Sequence, residues 1–350
     1  MPDAVAWLAG LSPWPEDGFG LERMNALLAV LDDPQQRYPA VHVVGTNGKS
    51  TATVTIEQLL LTEGLSVGST ISPHVRSWDE RVRLAGRPVD LAAALTRVRG
   101  AAEKVGATQF ESITAAALTA FADAEVDVAV VEAGLGGRYD ATNVLRSRVV
   151  LLTNVGLEHT DVLGDTVEAI AAEKLAVVHT DDTIVILPDD TLGPLVPRGR
   201  VVLGGAREAA EAFVGHPIGA LVDVVLPGRL EHRPGEIRDG AHNPDGIAWL
   251  SARLPTADFT VCASLLEDKD VDEMLLRLAS VGSRFVATAS SNARSLSAAD
   301  LAKRARRHFA VVEEIADPSS AVRRAHALGE PVLVTGSLYL LADLEAAEAG

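Results

Sequence analysis

Lys49, Ser50 and Thr51 directly follow a glycine-bearing turn, Gly45-Thr46-Asn47-Gly48, which interrupts an apolar run containing Val41, Val43 and Val44. Residues of these types in this order suit the binding of a phosphate chain. Glycines let the backbone turn tightly with its N–H groups aimed inward. The helix expected after Lys49 adds partial positive charge at its N-terminus. Lys49 supplies a full charge, and the hydroxyls of Ser50 and Thr51 can reach Mg²⁺. The loop is shorter than the usual G-x-x-x-x-G-K-[ST]. Taken alone, it reads equally well as a strand-to-helix turn with an exposed lysine.

Other polar groups fall at equivalent places along the chain. Apolar runs end in turn at this loop, at Ser72 (in Ser72-Pro73-His74), at Glu132, and at Asn154 with Glu158 and His159 just behind. Helical stretches between the runs predict a parallel sheet, and such sheets bind ligands beyond the carboxyl ends of their strands. A lone buried glutamate is ordinarily a paired structural group. A hydroxyl, a carboxylate and an imidazole converging on one phosphate loop read instead as magnesium ligands.

The elements that must position these groups follow from periodicity. Leu21, Met24, Leu27, Leu28 and Leu31 share one face of a helix over 21–32, stopped by Pro34. The helix after the loop runs to about Glu63 and ends at Gly64. Residues 79–90 carry Arg81 and Arg83 and a turn at Gly86, reading as a solvated charged hairpin. A helix near Asp165-Thr166 is marked by a capping-box spacing from Asp165 to Glu168. Val167, Ile170, Ala171 and Lys174 share one of its faces, so this stretch alone makes Lys174 a snorkelling lysine that answers the helix dipole. Residues 181–226 carry only short strand-like runs and one helical piece, AREAAEAFV. The pattern restarts near Pro227 with candidate strands EIR, FTVCAS, RFVATA and PVLVTG. This predicts two domains, 1–226 and 227–350.

Composition narrows the functional classes. A chain of 350 residues, 47% hydrophobic and 23% charged, suits about two soluble domains. A net charge of −17 without a long basic cluster argues against nucleic-acid or anionic-membrane partners. The single cysteine, Cys262, excludes an internal disulfide or a multi-cysteine metal site and reads as a buried small hydrophobe. Residues 1–15 lack the basic start of a signal peptide, and no apolar stretch approaches the ~20 residues a membrane span needs. A cytoplasmic monomer is expected.

The chain resembles the folylpolyglutamate synthase/dihydrofolate synthase family of the Mur-ligase group. The resemblance is carried by GLERM, GTNGKST, ISPH with DERVRLAG, FESITAAAL, EAGLGGRYDATNV, TNVGLEHTDVLGDTVEAIAAEK, PGRLE, DGAHNPDG, LLEDKD and VLVTGSLYLL, in the family's order. It implies an α/β fold: an N-terminal phosphate-loop, parallel-sheet ATPase domain and a smaller C-terminal Rossmann-like domain. It also implies an ADP-forming ligase that activates an acceptor carboxylate with ATP and joins it to L-glutamate. The acceptor would be of the pterin or folate type. By position, Gly45, Thr46, Asn47, Gly48, Lys49, Ser50 and Thr51 would hold ATP phosphates, with Arg229 and Asp239 also on the ATP side. Ser50 or Thr51, Ser72, Glu132, His159 and Lys174 would hold metal, and Lys174 matches the family's carbamylated lysine. Lys49, His159 and Lys174 would be the catalytic groups. Arg81 and Asp140 fall on the acceptor side, and His242 and Ser337 are linked to glutamate.

Three departures stand out. The loop reads GKST where the family usually has GKGS. Only 64 residues separate Lys174 from Asp239, a span the family normally fills with many more. The shortened span also lacks the family's G-x-H-Q-x-x-N segment, which contributes to the adenine site. Two other readings share the motifs: an amide ligase with a non-folate acceptor, and a non-catalytic folate or nucleotide binder.

Overall fold

In the computed structural model, which describes residues 4–15 and 18–349, the chain divides into two compact units, Met1–Val224 and Val225–Gly350. The first is built on eight strands: β1 (Ala40–Val44), β2 (Val67–Thr70), β3 (Val82–Leu84), β4 (Arg87–Pro88), β5 (Val128–Glu132), β6 (Ser147–Leu152), β7 (Ile184–Leu187) and β8 (Arg200–Leu203). They lie in the order β4-β3-β2-β5-β1-β6-β7-β8. From β2 to β8 every neighbouring pair is parallel, while β3 and β4 form an antiparallel hairpin at one edge.

Every residue of β1 and β5 is buried, as expected of parallel strands covered by helices on both faces. Alternation along β1 sorts the layers. Val41 and Val43 pack with Ile56 and Leu60 of the helix Lys49–Thr62 and with Phe213 of the helix Ala206–Val214. Ala40, on the other face, joins a cluster with Met24 of the helix Glu22–Val30, Leu95 of Leu91–Val105 and Phe121 of Gln109–Asp123. Val44, also on that face, packs with Leu175 at the end of the helix Val167–Leu175. The span 181–226, so poor in signal, supplies β7, β8 and a covering helix, and so completes the sheet.

Several local expectations change. The helix predicted over 21–32 stops at Val30, because Asp32 and Asp33 turn to positive φ. The helix carrying Lys174 is capped by Thr166, whose side chain accepts from Ala169 N, not by an Asp165–Glu168 box. The hairpin is less solvated than its charges suggest. Arg83 reaches inward to the fully buried carboxylate of Glu57 (3.0 Å), which also accepts from Ser69 Oγ.

The second unit holds β9 (Glu231–Arg233), β10 (Glu236–Arg238), β11 (Thr260–Ala263), β12 (Arg284–Ala287), β13 (Val311–Glu314) and β14 (Val332–Thr335), in the order β13-β12-β11-β14-β10-β9. All pairs are parallel except β9–β10. The edge strands β9 and β13 carry EHR and VVEE, too short and too charged to show a strand pattern. Cys262 is fully buried on β11, and burial pushes its thiol up to about 12, so it packs as an apolar residue. Among the described residues, no helix is long and apolar enough to cross a membrane.

A charged cluster ties this unit's ends together. Arg238, almost fully buried, donates to Glu236 (2.5 Å) and to Glu348 of the last helix (2.5 Å). His326 sits between Glu236 (3.0 Å) and Glu330 (2.8 Å). Burial pulls its pKa down, but hydrogen bonds to the two carboxylates outweigh that and hold it above the ordinary 6.5. A pKa raised on folding contributes stability that is fully present below the ordinary value and lost as pH rises through the folded value. The melting-temperature gap between wild type and His326→Gln is therefore expected to be widest below about pH 6 and to shrink toward alkaline pH. A gap that widens with pH would mean that His326 folds neutral.

Candidate active site

β1 delivers the chain to Gly45, whose φ is +147° and where a Cβ would lie 1.9 Å from Thr153 Oγ1. Only glycine fits this close approach. The loop is then clamped to the segment after β6. Thr46 N donates to Asn154 O (3.0 Å) and Asn47 N to Asn154 Oδ1 (2.8 Å). Thr46 Oγ1 accepts from Gly156 N (3.1 Å), and Thr153 Oγ1 donates to Asn47 O (2.8 Å). Gly48, at φ +78°, starts the helix Lys49–Thr62 without a side-chain cap, so the helix keeps its N-terminal donors for an anion. Lys49 Nζ arches over the same loop, donating to Gly45 O (2.9 Å) and Thr46 O (3.3 Å).

Glu132 ends β5, next to β1, and is 3% exposed. Ser50 Oγ donates to its Oε1 (3.1 Å), and the backbone N of Ser72 donates to Oε2 (2.9 Å). Of the two candidate hydroxyls, the structure thus brings that of Ser50 to the carboxylate. Ser72 reaches Glu132 through its backbone. His159, at φ +44°, begins a short helix, Thr160–Leu163, and its carbonyl accepts the N–H groups of Val162 and Leu163. Among the described residues, no three His, Cys, Asp or Glu side chains gather as a metal cluster. A buried hydroxyl–carboxylate pair beside a phosphate loop nevertheless suits Mg²⁺, which binds through one or two carboxylates together with substrate phosphates and water.

Lys174 departs most from the reading of its own stretch. Its side chain is 1% exposed, so it does not snorkel. Nζ donates to Gly45 O (2.9 Å) and pairs with Glu158 Oε1 (2.5 Å). Burial pulls its pKa below the ordinary lysine range; Glu158 opposes this and Lys49 adds to it. Glu158 was missed as a site residue. Its only signal was its place four residues beyond Asn154 and one before His159.

The loop after β5 locates Lys174. Gly137 lies so close to the helix carrying Lys174 that a Cβ there would meet Lys174 O at 2.5 Å. Arg138 N donates to Glu173 O (3.1 Å), and Arg138 Nε pairs with Glu173 (2.9 Å). Asp140, placed on the acceptor side by resemblance, is 6% exposed and turned into its own loop. Its carboxylate accepts from Leu135 N (2.8 Å), Thr142 N (3.0 Å) and Thr142 Oγ1 (2.5 Å). Arg81, also placed there, donates to His74 Nδ1 (2.9 Å) and stacks on Trp78, with its guanidinium carbon 4.5 Å from the ring centroid. Burial and the adjacent Arg81 push His74 down to about 4, so it is neutral at pH 7 and can accept.

In the second unit, the predicted residues gather where β10 and β14 end. Asp239 is 5% exposed and accepts from Leu230 N (2.7 Å) and Ala241 N (2.8 Å), fixing the turn that carries Arg229. His242 Nδ1 donates to Gly240 O (2.9 Å), and Ser337 Oγ, buried, accepts from Tyr339 N (3.1 Å).

Known proteins resemble this chain in sequence and fold. Residues 43–198 match the family model of the Mur ligase middle domain. The dihydrofolate synthase/folylpolyglutamate synthase of Mycobacterium tuberculosis is 30% identical over 410 aligned positions, covering 88% of this chain and 83% of the relative. The solved structure of Mycobacterium tuberculosis folylpolyglutamate synthase complexed with ADP and AMPPCP superposes with a TM-score of 0.87 at 26% identity, covering 98% of each chain. A bifunctional folylpolyglutamate synthase/dihydrofolate synthase with Mn, AMPPNP and L-glutamate bound gives 0.86 at 27% identity, covering 100% of this chain and 99% of the other. With its phosphate loop, strand-end carboxylate and buried lysine set in that shared framework, the chain belongs to the folylpolyglutamate synthase/dihydrofolate synthase family.

Proposed function

We propose that this protein is an ATP- and Mg²⁺-dependent ligase that joins L-glutamate to the carboxylate of a folate-type acceptor, either dihydropteroate or a reduced folate, and that it works as a monomer. The observation that carries the proposal is the convergence of the phosphate loop, the Ser50–Glu132 pair and Lys174 at the ends of adjacent parallel strands. Family membership and the ligands named for its solved relatives support the substrates.

In this mechanism an acceptor carboxylate oxygen attacks the γ-phosphorus of ATP, giving an acyl phosphate and releasing ADP. The amine of glutamate then attacks the acyl carbon, phosphate leaves with the bridging oxygen, and the nitrogen gives up a proton. Such transfer depends on positioning and on neutralising phosphate charge. The N-terminus of the helix Lys49–Thr62 and the amides of residues 45–51 would hold the phosphates, with Lys49 swinging from its loop carbonyls onto them. Ser50 and Glu132 would hold Mg²⁺, with His159 nearby, and Ser72 would orient Glu132. The bound ion neutralises phosphate oxygens. The half-buried Arg81–His74–Trp78 cluster and the Asp140 loop would face the acceptor. In residues 227–350, Arg229 and the turn held by Asp239 would serve the nucleotide, and His242 and Ser337 the incoming glutamate.

Lys174 would carry a carbamate. CO₂ adds only to a neutral amine, and burial favours that form here. The ammonium first loses one proton; the amine nitrogen then forms an N–C bond to CO₂ as one C=O π bond opens, and a second proton leaves. A cation is thus replaced by an anion, which beside Glu158 suits a hard metal ion.

A phosphate-release assay across pterin acceptors tests the reading. Glutamate- and acceptor-dependent formation of ADP and phosphate is expected, whereas AMP and pyrophosphate would refute the acyl phosphate. Lys49→Ala is expected to lower kcat by about 10²- to 10³-fold.

The two hydroxyls separate by kinetics. Ser50→Ala is expected to lose about 10²-fold in kcat with a raised Mg²⁺ requirement, while Thr51→Val stays within about threefold. Equal losses would mean that the Ser50–Glu132 contact does not mark the metal side.

Carbamylation is tested by CO₂. Activity should fall in CO₂-depleted buffer and return with bicarbonate, and short carboxylic acids should partly rescue Lys174→Ala. Full activity of that variant would remove Lys174 from the chemistry.

A further inference from the structure

His42 lies in the middle of β1 between valines, wholly inaccessible to solvent. A parallel strand covered on both faces gains stability from an aliphatic residue at such a position, and burying an imidazole with an unmet polar atom lowers stability. Its Nδ1 has no hydrogen-bond partner among the described residues. Its Nε2 lies 2.8 Å from Thr142 Oγ1, and that hydroxyl lies 2.5 Å from Asp140 Oδ1. Burial raises the Asp140 pKa against its several hydrogen bonds. With the carboxylate ionised, the single hydroxyl proton of Thr142 goes to it, and Nε2 then carries a proton and donates. The direction of the chain is thereby fixed: His42 to Thr142 to Asp140, and Asp140 in turn receives Leu135 N.

This chain ends in the loop that packs on the helix bearing Lys174. Gly137 fits against the backbone of Glu173 and Lys174, and Arg138 holds Glu173. The loop has a second tether, from His179 Nε2 to Asn143 Oδ1 (2.8 Å), with Asn143 Nδ2 donating to Arg138 O (2.8 Å). The phosphate loop, three residues beyond His42, is held by different groups: Thr153, Asn154 and Gly156. Neither ring nitrogen of His42 bonds the phosphate loop or Lys174. Burial and the nearby His179 push it down to about 3, so it is neutral and its role is geometric.

We propose that His42 is a positioning residue of the ligase site: through Thr142 and Asp140 it sets the loop 134–143, and through that loop the placement of Lys174 relative to the phosphate loop. The kinetic part of the test rests on the ligase reading above; the structural part does not.

His42→Leu removes the donor but keeps an apolar side chain. His42→Gln returns an amide N–H near the place of Nε2. For His42→Leu, a kcat about ten- to a hundredfold lower is expected, as for an ångström-scale misplacement. Nucleotide affinity, read by ADP binding, should be unchanged, and the melting temperature equal or higher. His42→Gln should recover most of the kcat. Amide exchange followed by mass spectrometry should show lost protection confined to 134–143 and 167–175 in His42→Leu, restored in His42→Gln. Wild-type kcat in His42→Leu, or a parallel fall of kcat, ADP affinity and melting temperature in both variants, would overturn the proposal. If the wild-type protein turns over no folate acceptor, the ligase reading fails and the exchange pattern alone decides: unchanged protection at 134–143 and 167–175 refutes the positioning role.

Discussion

A lysine ammonium taken almost wholly out of water persists only where several polar groups meet it at once, because desolvation of an ion costs several kcal/mol that a single contact does not return. Lys174 meets that condition through Gly45 O and Glu158. Those two partners belong to different segments, and the helix carrying Lys174 is located by a third, around Gly137. The ion pair therefore requires the phosphate loop, the segment after β6 and the loop after β5 to be in place together. Much of the polar bonding in the first unit serves that assembly. Thr153 and Asn154 clamp the phosphate loop, Arg138 holds Glu173, and Asp140 and Asn143 shape the loop between them.

The same geometry explains why the amine is chemically available. An exposed lysine would be protonated and hydrated, whereas burial beside Lys49 shifts this one toward its neutral form. Glu158 opposes that shift; burial pulls its own pKa up, but the charges of Lys174 and Lys49 and the Lys174 hydrogen bond together hold it below the ordinary carboxylate value. The neighbourhood thus holds anionic and cationic groups in near balance within a chain of strongly negative net charge. An incoming polyanion meets local cations despite the adverse overall field.

The sequence made the strand ends legible because both signals there are local. Apolar runs such as VDVAVVE mark the strands, and polar residues interrupt them at fixed offsets. Ser50, Glu132 and Lys174 could be named from that alone or from motif resemblance. The tertiary reach of side chains could not be read this way. Nothing in 79–90 shows that Arg83 turns inward to Glu57, because that carboxylate lies 26 residues earlier, on the helix Lys49–Thr62. Nothing near Lys174 shows that it is buried and not snorkelling, because its partners lie 16 and 129 residues away. The edge strands β9 and β13 escaped because an exposed edge tolerates charge and so loses the alternation that marks interior strands. His42 carried a signal that went unused, an imidazole set among valines where only apolar residues are expected.

The position of β1 also governs how the chain acquires its form as it is synthesised. β1 pairs with β5 on one side and with β6 on the other, so its partners begin at residues 128 and 147. Until residue 128 has been made, the strand that leads into the phosphate loop has no neighbour to add to. Its valines and His42 must stay exposed or be shielded by the helices already made, since non-local pairing waits for the distant segment to arrive. The loop after β1 thus leaves the ribosome well before the strands that enclose it, and until residue 152 is free β1 lies open to off-pathway association.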